Sequence, residues 1–211
     1  MTAISDHTLA GQEHLSPFVA PGSTYMQFMN SDSSTSPPKG GPTKDEILAI
    51  SLYKLGLSPD DIFADLGCGT GRISIEAARR VRTVHAVDRR IEACEWTEQD
   101  VKSRGILNIS VHHSENAAFL RTLDRLDTAF VGGSQDLDEV IRALVDLNVH
   151  SLVINAVMLE TVHTAVSALK KSGIFREVIS ANISRSYQIG SGLMFKPLDP
   201  VFIICGGTSL C

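Results

Sequence analysis

The chain has 211 residues, 43% of them hydrophobic, with 24 acidic against 19 basic side chains and a net charge of −5. That length allows one domain with a full core, or one domain plus an extension. The charge excludes the overall basic surplus of a typical nucleic-acid binder, though not a local patch, and no apolar run approaches the roughly 20 residues of a membrane span.

The opening "MTAISDHTLAGQEHLSPFVA" has no basic start followed by an apolar block, so it does not read as a secretory signal, and a cytoplasmic location is the expectation. The run "SDSSTSPP" is too polar to bury a core of its own. Residues 1–39 therefore read as a flexible extension, with "YMQFM" (Tyr25–Met29) as a segment that can dock, and residues 40–211 as the folded domain. Order begins at "GPTKDEILAISLYKLGL". Thr43 and Glu46 have the spacing of a capping box, Ile47, Leu48, Ile50, Leu52 and Leu55 recur at helical spacing, and Gly56 ends the helix.

From there the chain alternates. Strand-like runs are "DIFADL", "TVHAVD", "ISVHH", "DTAFVG", "HSLVINA" and "PVFIICG"; helix-like runs are "RISIEAARRV", "RIEACEWTEQDVKSRG", "DLDEVIRALVDL" and "LETVHTAVSALKKSG". Short apolar strands alternating with helices predict an α/β fold, a mostly parallel sheet with helices on both faces. The last stretch, Arg176 to Gly206, breaks the alternation and reads as two strands joined by a long loop, a C-terminal antiparallel hairpin at the sheet edge.

The stretch "DLGCGTGRISIEA" (Asp65–Ala77) follows the first strand. Gly67, Gly69 and Gly71 let the backbone turn sharply and approach a ligand, and the helix start offers N–H groups to an anion. The spacing is G-x-G-x-G rather than the dinucleotide G-x-G-x-x-G. Asp65 beside the loop repels a pyrophosphate but suits an ammonium, and Asp88, ending the second strand, is placed to accept two ribose hydroxyls. S-adenosylmethionine has an ammonium, a sulfonium and a single carboxylate. Strand, acid, glycine loop, helix, strand, acid together predict a Rossmann-like class I methyltransferase using it.

Cys68, Cys94, Cys205 and Cys211 form no C-x-x-C pair, and Cys68 reads as a small residue in a tight turn rather than a catalytic thiol. His112 and His113 are adjacent on a strand and point to opposite faces, so with His85 they make no ready metal site. Glu160 and His163 stand alone at i,i+3. No metal is expected.

Four further stretches, "GGPTKDEI", "FVGGS", "INAVMLETV" and "ISRSYQIGSGLMFKPLDPVFIICG", together with "DLGCGTG" and "AVDRR", resemble the cobalt-precorrin-6B carbon-15 methyltransferase (decarboxylating) family of cobalamin biosynthesis over about residues 40–207. The resemblance implies a corrinoid tetrapyrrole substrate, methyl transfer to carbon 15, loss of carbon dioxide from the ring C acetate, a seven-stranded sheet with its last strand inserted antiparallel, and a homotetramer. In the related aerobic pathway the domain is fused to a second methyltransferase; the short chain suggests the standalone form. The cofactor residues expected are Thr43, Asp65, Gly67, Cys68, Gly69, Thr70, Gly71, Asp88, Glu115, Asn116 and Gly132. Lys44, Arg185 and Lys196 are candidates for the substrate's carboxylates and Tyr187 for its ring. No catalytic acid or base is assigned.

Two departures stand out: Ser114-Glu115-Asn116 replaces the family's Gly-Asp-Ala, and Met158 replaces a frequent threonine. An RNA or protein methyltransferase on the same fold remains an alternative, against which the acidic balance and the missing Asn-Pro-Pro-Tyr pattern count. A non-catalytic S-adenosylmethionine-binding subunit is another.

Overall fold

The structure, a computed structural model, describes Pro38 and residues 41–208. The docking segment Tyr25–Met29 and, apart from Pro38, the extension assigned to residues 1–39 lie outside the described residues.

Helix α1 (Asp45–Leu55) begins without the expected capping box: Lys44 is the N-cap and no side chain caps it. The Glu46 carboxylate is instead held by Arg185, whose Nε and Nη2 donate at 3.0 and 2.6 Å. Two charge-assisted bonds from a fork outweigh one bond to a backbone N–H. Gly56 ends the helix in the left-handed conformation, φ 58°.

Strands β1 (Ile62–Leu66), β2 (Thr83–Asp88), β3 (Ile109–His113), β4 (Thr128–Val131) and β5 (Ser151–Ala156) fall where the apolar runs place them. They pair in parallel, linked by α2 (Arg72–Ala77), α3 (Ile91–Ser103), α4 (Asn116–Leu120) and α5 (Leu137–Asp146), and α6 (Leu159–Lys171) follows β5. Helix α2 stops at Ala77 rather than running to Val81 because the Asn108 amide takes the carbonyls of Ala78 and Val81 at 2.9 and 3.1 Å. Helix α4, with five residues, is too short for helical periodicity to reveal.

The final stretch is more structured than expected. Strand β6 (Phe175–Ala181) pairs antiparallel with β9 (Val201–Gly206), but what reads as a long loop is itself a hairpin, β7 (Ser184–Ile189) and β8 (Gly192–Pro197). The seven-stranded sheet has the order β3-β2-β1-β4-β5-β9-β6, so β9 is inserted between β5 and β6, and β6 forms the edge. The continuous apolar run "VFIICG" suits an interior strand.

Alternate residues of each strand feed two cores. Ala64, Leu66, Leu152, Ile154 and Ile204 pack with α4, α5 and α6; Phe63, Val153, Ile203 and Cys205 pack with α1 and α2. With both faces covered, the carboxyl ends of β1, β2, β4 and β5 remain as the place where polar groups converge.

Candidate active site

Asp65, the fourth residue of β1, is 1% exposed. Its Oδ2 accepts the Ser74 N–H at 3.0 Å and the Ser74 hydroxyl at 2.5 Å. The carboxylate thus caps α2 from a distance, which corrects the expectation that this helix start is fully available to an anion. Oδ1 is buried and has no hydrogen-bond partner among the described residues. Burial pushes the carboxyl up to about 7, against the lowering effect of the Ser74 bonds.

The glycines act differently. Gly71 has φ 72°, and a Cβ there would meet Thr97 Cγ2 at 2.6 Å, so it lets α3 close on the loop. Gly69 has φ 57°, and the nearest atom a Cβ there would meet is Arg90 Nη2 at 3.8 Å, so no group approaches the loop backbone there more closely than that side chain. The Gly132 N–H donates to Leu66 O at 2.8 Å, bringing the end of β4 against Gly67. Thr97 also donates to Gly69 O at 3.2 Å.

Asp88 ends β2 and is 3% exposed. Its Oδ2 accepts the Gly69 N–H at 2.9 Å, and the backbone N–H and side-chain fork of Arg90 supply three further bonds, each at 3.0 Å. Although burial acts to raise it, these bonds and the guanidinium charge hold the carboxyl below its ordinary value.

Two adjoining cavities lie over these groups. The larger, about 880 Å³, is lined by Thr43, Lys44, Asp65, Cys68, Gly69, Thr70 and Lys196, with Pro38 at its wall. The smaller, about 360 Å³, is lined by Asp88, Glu115 and Asn116. Gly67, Arg90, Gly132 and Ser134 line both. Of the expected cofactor residues only Gly71 lines neither, since it faces Thr97. An unpartnered buried carboxylate oxygen at one end, open glycine backbone in the middle and a second carboxylate at the other end fit a ligand with an ammonium, a short charged linker and a ribose. S-adenosylmethionine meets that description.

Sequence comparison agrees with this geometry. The precorrin methyltransferase domain family model matches residues 38–205. The chain belongs to the precorrin methyltransferase family. It is 49% identical over 172 residues to a Methanosarcina acetivorans protein named "probable cobalt-precorrin-6B C(15)-methyltransferase (decarboxylating)", covering 79% of this chain and 94% of that one. Among solved structures it is similar to a precorrin-8W decarboxylase of Methanobacterium thermoautotrophicum, with 31% identity, TM-score 0.75, and 80% and 92% of the two chains covered. It is also similar to a precorrin-6Y C5,15-methyltransferase of Geobacter metallireducens, with 28% identity, TM-score 0.77, and 84% and 96% covered. Such precorrin methyltransferases use S-adenosylmethionine as methyl donor, and the fold is the Rossmann-like one expected.

Within this precorrin methyltransferase, the four candidates for substrate contact separate. Lys44 and Lys196 line the larger cavity. Arg185 lines neither cavity and is committed to Glu46, tying β7 to α1; Tyr187 lies on the outward hairpin, its hydroxyl 3.9 Å from Met194 Sδ. Although Arg185 stands opposite the cavity-lining Lys196 in the β7–β8 ribbon, its fork turns to Glu46, and neither it nor Tyr187, the candidate for the substrate's ring, lines either cavity.

Burial, reinforced by the Asp65 and Asp88 charges, pushes the Cys68 thiol far up, so it is a protonated packing group 3.9 Å from Thr97 Oγ1. His112 and His113 diverge as expected: His112 Nε2 lies 3.1 Å from His85 Nδ1, whereas His113 Nε2 donates to Arg89 O at 2.9 Å. Desolvation lowers both His85 and His112, with His112 adding to the effect on His85, which favours neutral rings packed on Phe119.

Sequence reasoning missed Ser74, which orients Asp65, and Arg90, which occupies Asp88. Ser74 carries a weak signal, a hydroxyl in the first turn after the loop. Arg90 carries a clearer one: an arginine two residues after an acid can fold its fork back onto that acid.

Proposed function

We propose that the chain methylates carbon 15 of cobalt-precorrin-6B and releases the ring C acetate carboxyl as carbon dioxide, giving cobalt-precorrin-7. The observation that carries this reading is Asp65 Oδ1, an unpartnered carboxylate oxygen beside a cavity of about 880 Å³ in a chain of this family.

S-adenosylmethionine supplies a methyl group on a sulfonium that is already an activated leaving group. Asp65 pairs with its ammonium and Asp88 accepts its ribose hydroxyls. Gly67 and Gly69 let the loop backbone approach closely, while Thr43, Cys68 and Thr70 line the wall and Glu115, Asn116 and Gly132 border the adenine end. The macrocycle carbon is itself electron-rich, so these residues bind, orient and exclude water rather than abstract a proton. Lys44 and Lys196 receive peripheral carboxylates of the macrocycle. The electron pair left by departing carbon dioxide is delocalised into the macrocycle's conjugated system.

The oligomer proposed is a homotetramer, as the resemblance implies. The β7–β8 ribbon supports self-association: Ile189 and Met194 on one face and Leu193 and Phe195 on the other are 52%, 48%, 67% and 70% exposed, so both faces carry apolar side chains in water. Among the described residues no helix is long and apolar enough to cross a membrane, which supports the cytoplasmic location proposed.

Turnover of cobalt-precorrin-6B tests the function. S-adenosylhomocysteine released in step with carbon dioxide is the expected result, and either product without the other contradicts it.

A further inference from the structure

Of the four residues common to the two halves of the cleft, Arg90 carries the charge. Asp65 lines only the larger cavity and Asp88 only the smaller, while Arg90 lines both. A carboxylate offers about four lone-pair sites. At Asp88 all four are taken: Oδ1 accepts Arg90 N–H and Nε at 3.0 Å, and Oδ2 accepts Gly69 N–H at 2.9 Å and Arg90 Nη2 at 3.0 Å. A ribose diol brings two more donors to the same oxygens. Of the present four, the two backbone N–H groups are fixed by the loop and by the start of α3. The two guanidinium bonds can leave by side-chain rotation alone, since the Arg90 side chain is 32% exposed. Its Nη2 lies 3.8 Å from the position of a Cβ on Gly69, so the guanidinium stands over the loop between the two cavities.

We propose that Arg90 is a displaceable partner of Asp88: the ribose diol of the cofactor takes its two places on the carboxylate, and the released guanidinium turns into the larger cavity to receive a carboxylate of the acidic macrocycle. Arg90 is then a positioning and specificity residue that makes cofactor and substrate bind synergistically, with the cofactor first. The inference rests on the proposed reading of the cleft as a site for S-adenosylmethionine and a polycarboxylate corrinoid. A permanent clamp that merely shapes Asp88 predicts the opposite sign, because its removal weakens cofactor binding.

The test is calorimetric titration of wild type, Arg90→Gln and Arg90→Lys with S-adenosylhomocysteine, with and without cobyrinic acid as a polycarboxylate corrinoid probe. The expected result is that wild type binds S-adenosylhomocysteine about three- to tenfold more tightly when cobyrinic acid is present, the scale of one net hydrogen bond. Arg90→Gln binds the nucleoside alone at least as tightly as wild type and loses the synergy. Arg90→Lys, which keeps a charge without the fork, retains part of it and controls for misfolding. Weaker nucleoside binding by Arg90→Gln with synergy intact overturns the proposal. Failure of wild type to bind S-adenosylhomocysteine at all overturns the cofactor reading beneath it, so the two failures are distinguishable.

Discussion

Asp65 and Ser74 are joined through a single carboxylate oxygen: Oδ2 takes both the serine N–H and hydroxyl, and Oδ1 is left buried without a partner. One oxygen holds the helix, and the other is left without a partner in a residue that lines the larger cavity.

The first prediction concerns pH. Asp65, raised to about 7, is partly protonated near neutrality, whereas an ammonium partner favours the carboxylate. Binding S-adenosylmethionine should therefore release a proton at about pH 6 and almost none at about pH 8, with affinity falling up to roughly tenfold per unit as pH drops below 7. Calorimetry in two buffers of different ionisation enthalpy measures the proton directly. The stability sign is opposite: because the folded value is raised, Asp65's contribution is fully present below its ordinary range and is lost as pH rises through about 7. Asp65→Asn should accordingly raise Tm at about pH 8 while weakening binding by tenfold or more.

Asp88→Ala removes the ribose acceptor and the partner of the Gly69 N–H together. Affinity for S-adenosylmethionine should fall by roughly tenfold to a hundredfold, the cost of two charge-assisted hydrogen bonds. Unchanged affinity by calorimetry contradicts the assignment of the smaller cavity to adenosine.

Lys44→Ala and Lys196→Ala should each raise KM for the corrinoid by about three- to tenfold with kcat nearly unchanged, as expected for uniform binding. Arg185→Ala should leave KM alone, because its fork is spent on Glu46, and should instead loosen the ribbon, visible as faster amide exchange over Ser184–Pro197. A KM effect from Arg185 rather than the lysines reverses this division.

Leu193→Ser combined with Phe195→Asp places polar groups on the exposed ribbon. Sedimentation should show the wild type as a tetramer and the variant as a smaller species with the same circular dichroism. A variant that remains tetrameric assigns the subunit contact to another surface.

Much of this architecture is legible in the sequence for a physical reason. The interior strands are buried on both faces, so "LVI" and "VFIIC" appear as unbroken apolar runs, and the acids near the ends of other strands, Asp65 and Asp88, stand out. The β7–β8 ribbon is not legible, because every residue in it is exposed and no buried face imposes a period. The capping box misleads because its local bonds compete with an arginine fork 139 residues away, which no local window contains.

The most direct measurement is an anaerobic incubation with cobalt-precorrin-6B and isotopically labelled S-adenosylmethionine, read by mass spectrometry. A corrinoid that has gained the labelled methyl and lost carbon dioxide is the predicted result. Unchanged substrate from protein that still binds S-adenosylmethionine would contradict the corrinoid assignment and leave only the methyltransferase fold standing.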